Sequence, residues 1–184
     1  MSIDEVIAKR LLALRKSKGL NLEQLAELSE VSKAMISKIE RQESSPSATI
    51  LGRLAAGLGV SVTQLLSDDS DRPKHFMRRD EQAVWRDPDI GYLRRQVLPP
   101  EAQTALEMIE VTLPAKSRVS YPSWGNRPYK QRLWLVEGEL TVHYGENCYS
   151  LLPGDVLVFG VDLPVTFDNV DAQPCRYLLV INQG

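Results

Sequence analysis

From Ile3 to Leu66 apolar side chains recur at spacings of three and four, and caps and breakers cut the pattern into five short helices. The first runs from about Ile3 to Ser17 with Val6, Ile7, Leu11 and Leu14 as its stripe, and Gly19 lies just past its end. The second opens at Asn21, an oxygen-bearing cap, and carries Leu22, Leu25, Ala26 and Leu28. A third begins after Ser32 with Met35, Ile36 and Ile39 on one face, leaving Lys33, Ala34, Ser37, Lys38 and Arg41 on the other. Beyond a Ser-rich loop with Pro46, SATILGRLAAGLGV and SVTQLL form two further helices, with Ser47 and Ser61 as caps.

Between Ser67 and His75 the pattern stops: SDDSDRPKH is polar, charged and proline-containing, the composition of a linker. Beyond it the period changes to two. ALEMIEVTL, LWLVEGELTVHY, YSLL, DVLVFG and CRYLLVI read as short strands, with Pro99, Pro100, Pro114, Pro122, Pro128, Pro153, Pro164 and Pro174 between them. The expected organisation is an all-α domain over 1–66, a linker over 67–75 and an all-β sandwich or barrel over 76–184. Trp85 and Tyr92 in AVWRDPDIGYLRR belong to a preceding hairpin, packed on the barrel or on a second subunit.

Composition changes this picture little. Of 184 residues, 43% are hydrophobic and 25% charged, as in soluble globular proteins. The net charge of −2 excludes an overall polyelectrolyte affinity for nucleic acid, but the sign is uneven: net +2 as far as Leu66 and −4 beyond it. Cys148 and Cys175 form no CxxC pair, so free thiols are expected rather than a zinc site or disulfide scaffold. MSIDEVIAKR lacks the basic and apolar regions of a signal peptide, and no apolar run is long enough to span a membrane. The cytoplasm is the expected compartment.

The stretch NLEQLAELSEVSKAMISKIERQESSPSATILGRLAAGLGV resembles the helix-turn-helix of the Cro/CI repressor (XRE) family. Leu25-Ala26, Val31-Ser32, Ile36, Ile39, Glu40, Pro46-Ser47 and Leu54-Ala55 carry the match. The family's turn and helix-end glycines are replaced by Glu30 and Gln42. The resemblance implies that Lys33, Ala34, Ser37 and Lys38 meet base edges in a major groove, with Ser32 and Arg41 nearer the backbone. Arg10 and Gln24 would contact phosphates. Without the five-helix context the same lysines and arginine would read as a solvated face.

From about Ala105 to the end the chain resembles a cupin, a small jelly-roll barrel, through Glu137-Gly138, Leu152-Pro153-Gly154-Asp155 and Asn169 in the family order. Metal-binding cupins use three histidines and a glutamate. Here the glutamate place holds Gln131, the paired histidines fall near Trp124 to Arg127, and the later histidine falls on Val165, so neither metal nor cofactor is expected. His75 and His143 read as surface residues. Tyr121, Trp124, Arg127, Tyr129, Gln131, Leu133 and Leu135, facing Val165 and Phe167, would line a cup for a small organic ligand or form plain core, and Arg127 could clamp a carboxylate.

The expected function is a transcriptional regulator without catalytic activity, a repressor that binds a palindromic operator in double-stranded DNA as a homodimer. Its cupin domain would sense a small organic effector and help dimerise. Two other classes stay open: a cupin enzyme with a regulatory DNA-binding extension, and an antitoxin-like DNA-binding module whose barrel takes a protein partner.

Overall fold

The computed structural model describes residues 2–67, 75–101 and 105–183, so most of the expected linker over 67–75 lies outside the described residues. The chain divides into two compact units, Met1–Asp71 and Arg72–Gly184.

The first unit is five helices: α1 (Ile3–Ser17), α2 (Leu22–Ser29), α3 (Lys33–Glu40), α4 (Ala48–Leu58) and α5 (Val62–Leu66). Capping boxes start three of them: Ser2 with Glu5, Asn21 with Gln24, and Ser61 with Gln64. Ser32 caps α3 by accepting from the Met35 amide at 3.2 Å. Ser47, expected to cap α4, makes no side-chain cap hydrogen bond. The core joins Ile7 and Leu11 to Leu25, Ile36, Ile39, Leu51, Leu54 and Leu65. Each such side chain contributes roughly 1.5–3 kcal/mol by leaving water. Leu28, counted with the apolar stripe of α2, is instead 57% exposed. The inward side of α2 runs through Leu25 and Ser29, and α4 closes on it so tightly that a Cβ at Gly57 would stand 2.9 Å from the Ser29 Cβ.

The second unit begins with a 3-10 turn (Arg79–Glu81), followed by β1 (Val84–Arg86), β2 (Leu93–Leu98), β3 (Glu107–Leu113), β4 (Ser117–Tyr121) and β5 (Tyr129–Glu137). Then come β6 (Leu140–Tyr144), β7 (Asn147–Leu151), β8 (Val156–Phe159), β9 (Val165–Asn169) and β10 (Cys175–Gln183). A six-stranded sheet in the order β1-β2-β3-β10-β5-β8 and a four-stranded sheet in the order β4-β9-β6-β7 make the two layers, and the pairs are antiparallel throughout. This is the jelly-roll architecture of the cupins, with long crossovers between layers. The β1–β2 hairpin holding Trp85 and Tyr92 is part of the larger sheet, paired through β2 to β3.

Alternation sets the faces. In β3, Glu107, Ile109, Val111 and Leu113 are buried and the residues between them are half-buried. Leu133, Leu135, Val142, Phe167, Tyr177 and Leu179 complete the interior. Gly138 turns the chain between β5 and β6 at a left-handed φ of 78°. No other residue fits, because a Cβ there would stand 2.9 Å from the Cys175 Cα and the Pro174 carbonyl oxygen.

Candidate nucleic-acid interface and barrel interior

Helix α3 is held by its apolar side. Ile36 and Ile39 are 0% and 2% exposed, whereas Lys33, Ala34, Lys38 and Arg41 lie in solvent and Ser37 is half-buried. Val31 ahead of the helix and the αL backbone at Glu30 (φ 53°) aim α3 away from α2. Gln42 takes the left-handed region just after α3 (φ 61°), so both positions where the family uses glycine keep the glycine backbone.

The polar face carries internal pairings that a phosphate backbone must replace or share. Arg41 donates to both carboxylate oxygens of Glu43, at 2.8 and 2.9 Å, and to the Ser37 hydroxyl at 2.8 Å. That bond raises the arginine's pKa and lowers that of Glu43, with Lys38 adding to the lowering. Lys33 Nζ stands 3.7 Å from Glu23, both exposed. An open cleft of about 450 Å³ between the N-terminal ends of α2 and α3 is lined by Arg15, Asn21, Leu22, Glu23 and Lys33. Of the two residues assigned to phosphates, Gln24 is exposed but spends its side-chain oxygen on the Asn21 amide at 2.8 Å. Arg10 turns inward, its Nε donating to the Gln64 carbonyl at 3.1 Å.

In the barrel, Gln131, Leu133, Val165 and Phe167 are buried, and Tyr121 meets Phe167 edge-on at 6.2 Å. The Gln131 amide donates to the Gly160 carbonyl at 3.0 Å. Trp124 and Tyr129, half-buried, pack edge-to-face at 5.9 Å. Arg127 is exposed and donates to the Trp124 carbonyl at 3.2 Å. The buried arginine of this domain is Arg94, on β2, which pattern reading missed. Gln96, Glu107 and Asp87 are likewise 9% exposed or less, and Tyr92, Tyr121, Tyr177 and Glu107 interact electrostatically with Arg94. Among the described residues no group of three His, Cys, Asp or Glu side chains is placed to hold a metal ion, and no helix is long and apolar enough to cross a membrane.

A helix packed by one face, with a short polar-faced helix before it and basic residues on its free side, defines a DNA-binding helix-turn-helix. Residues 11–65 match the family model described as Helix-turn-helix, HTH_3. The chain is 24% identical over 169 residues to the HTH-type transcriptional regulator SutR of Escherichia coli (strain K12), covering 92% of this chain and 90% of that one. It is 36% identical over 67 residues to the control protein C.SmaI of Serratia marcescens, covering 36% of this chain and 80% of that one. A crystal structure of an HTH_3 family transcriptional regulator from Vibrio cholerae superposes with a TM-score of 0.81 at 28% identity, over 99% of this chain and 97% of that one. The chain belongs to the helix-turn-helix (XRE, Cro/CI-type) family, as a DNA-binding transcriptional regulator whose second unit is a cupin-type jelly roll.

Proposed function

We propose that this regulator is an operator-specific repressor that binds as a two-fold dimer, with α3 of each protomer in the major groove. The observation that carries the reading is the division of α3. Ile36 and Ile39 are sunk in the core, and Lys33, Ala34, Ser37, Lys38 and Arg41 are left for the groove. Lys33 and Lys38 donate to guanine O6 and N7, and Ala34 touches a thymine methyl. Ser32 and Arg41 lie nearer the sugar-phosphate backbone, and Gln24 offers its amide to a phosphate. Arg10, whose Nε is taken by the Gln64 carbonyl, meets a phosphate through its terminal guanidinium nitrogens. One such helix reads too few base pairs for useful specificity, and two placed about 34 Å apart on successive major grooves supply the rest.

The jelly roll is assigned the sensing and dimerising role, with a small organic effector held among Tyr121, Gln131, Leu133, Val165 and Phe167. Such an effector alters DNA affinity only as far as it binds the DNA-competent dimer more or less tightly than the alternative state. No catalytic step is assigned. Gln131 and Val165 stand where the family's metal ligands would, and among the described residues no group of His, Cys, Asp or Glu is placed for metal-dependent cupin chemistry. The deciding experiment is selection of bound sequences from random duplex DNA at 0.15 M salt, because phosphate contacts make affinity strongly salt-dependent. An enriched palindrome with half-sites one helical turn apart supports the dimer. An asymmetric single site, or no enrichment by folded protein, overturns it.

A further inference from the structure

Helix α3 ends in a complete Schellman turn. The Glu43 amide donates to the Lys38 carbonyl at 2.8 Å and the Gln42 amide to the Ile39 carbonyl at 3.0 Å, with Gln42 in the left-handed region at φ 61°. The reversal carries Glu43 back beside Arg41, the residue that closes the helix. Three bonds then fix the Arg41 guanidinium. Nε and Nη2 donate to the two carboxylate oxygens of Glu43 at 2.8 and 2.9 Å, and Nη1 donates to the Ser37 hydroxyl at 2.8 Å. Arg41 stands at the helix end assigned to the backbone of the DNA, yet its guanidinium is turned back one helical turn to Ser37, among the side chains assigned to base edges.

As a stabiliser this arrangement is weak, because both side chains are more than half exposed. Its effect on binding is specific. A bare arginine is a good phosphate ligand, but here the carboxylate cancels its charge, and a phosphate drawing close to the pair meets Glu43 as well. What the pair keeps is directional. A guanidinium has five N–H donors; with Nε, one hydrogen of Nη2 and one of Nη1 engaged, one donor is left on each terminal nitrogen. Two donors on adjacent nitrogens match guanine, whose O6 and N7 accept side by side in the major groove and which carries no charge for Glu43 to repel. The fork also holds the long side chain in one place before DNA arrives, so less rotamer freedom is lost on binding.

We propose that Arg41 reads a guanine through O6 and N7, and that Glu43 is the positioning residue that makes it a base reader rather than a phosphate ligand. This rests on the operator reading above and adds to it a specificity-determining pair at the C-terminal end of α3, with one G·C base pair in each half-site as its target.

The test uses the full-length protein and the operator selected from random duplex DNA, with every base pair of one half-site substituted in turn, at several salt concentrations. Arg41→Ala and Glu43→Ala accompany the parent, and circular dichroism checks that both fold; because the pair is exposed, their melting midpoints stay close to the parent's. In the parent, substituting one G·C pair weakens binding by about 5-fold to 150-fold, and in Arg41→Ala the same substitution changes affinity by less than about 2-fold. Glu43→Ala loses most of that discrimination too, while its binding to unrelated DNA tightens and its salt slope steepens by about 1 for each arginine released to a phosphate. A merely structural role for Glu43 would lower both kinds of binding together. The proposal is overturned if Arg41→Ala weakens all sequences alike and flattens the salt slope, or if Glu43→Ala discriminates at that base pair as the parent does. In either case the enriched operator still stands. A parent that enriches no sequence ends the operator reading and this pair with it.

Discussion

Arg15 on α1 grips Glu40 at the end of α3 with both arms of its guanidinium, Nε to Oε1 at 2.7 Å and Nη2 to Oε2 at 2.8 Å. Nη1 donates to the Leu20 carbonyl at 2.9 Å, and the two side chains are only 11% and 9% exposed. The hydrogen bonds to Glu40 outweigh burial and raise the Arg15 pKa. The fork fixes the last turn of α3 to the scaffold, so it sets where the polar face points. Glu40→Ala leaves a guanidinium in a nearly closed site and is expected to cost on the order of 3 kcal/mol. Urea unfolding measures the loss. A change within experimental error would mean that water already serves the pair.

Glu30 and Gln42 hold left-handed backbones, φ 53° and 61°, on either side of α3. A Cβ makes that region costly by roughly 1–2 kcal/mol, and glycine relieves it while giving back part in chain entropy. Glu30→Gly and Gln42→Gly are each expected to stabilise the helical unit by about 0.5–1 kcal/mol. The urea midpoint should rise for both. A fall would show that the side chains support the turns in ways the backbone alone does not reveal.

The helices were legible in the sequence because caps and stripes agreed: Asn21, Ser32 and Ser61 cap where expected, and Ile36 and Ile39 face inward. Leu28 misled because an apolar residue in a short helix need not lie on the packed side. The barrel was legible as strands, but its polar interior was not. In β2 the alternation is inverted, with Arg94 and Gln96 buried while Leu93 and Val97 are only half-buried. A reading that sends apolar residues inward therefore puts β2 the wrong way round. Arg127, in an exposed loop, looked like the barrel's arginine only because it stands near the family's ligand positions.

Cys175 is fully buried beside β3, and burial pushes its thiol up to about 11, whereas Cys148 is exposed. The thiolate is the reactive form, so a thiol reagent at pH 8 should label Cys148 alone, with Cys175 reacting only after denaturation. The raised thiol pKa also has a sign in stability. The folded state binds the proton more tightly than the unfolded one, so its contribution is complete below the ordinary value of 9.0 and fades as pH rises to about 11. Over that window the loss is on the order of 2 kcal/mol. Cys175→Ala should show a correspondingly flatter decline between those pH values in urea unfolding, and an unchanged decline would assign it to other groups.

Lys33, Lys38 and Ile36 lie within one helix and separate recognition from folding. Both lysines are exposed and Ile36 is fully buried, so alanine at each acts through a different term. Lys33→Ala and Lys38→Ala should leave the melting midpoint where it is and weaken operator binding. If the lost contact is to a base edge, the weakening is about 1–3 kcal/mol and specificity relaxes at that position; if it is to a phosphate, the salt slope falls by about 1. Ile36→Ala should cost roughly 2–5 kcal/mol of stability, and its binding should fall only as its folded fraction falls. Titrating all three against the selected operator at two salt concentrations, with circular dichroism on the same samples, distinguishes these outcomes. A lysine variant that binds as well as the parent would mean that α3 presents a different edge to the groove. An Ile36→Ala protein of unchanged stability would mean that the helix is rotated from the face assigned to it.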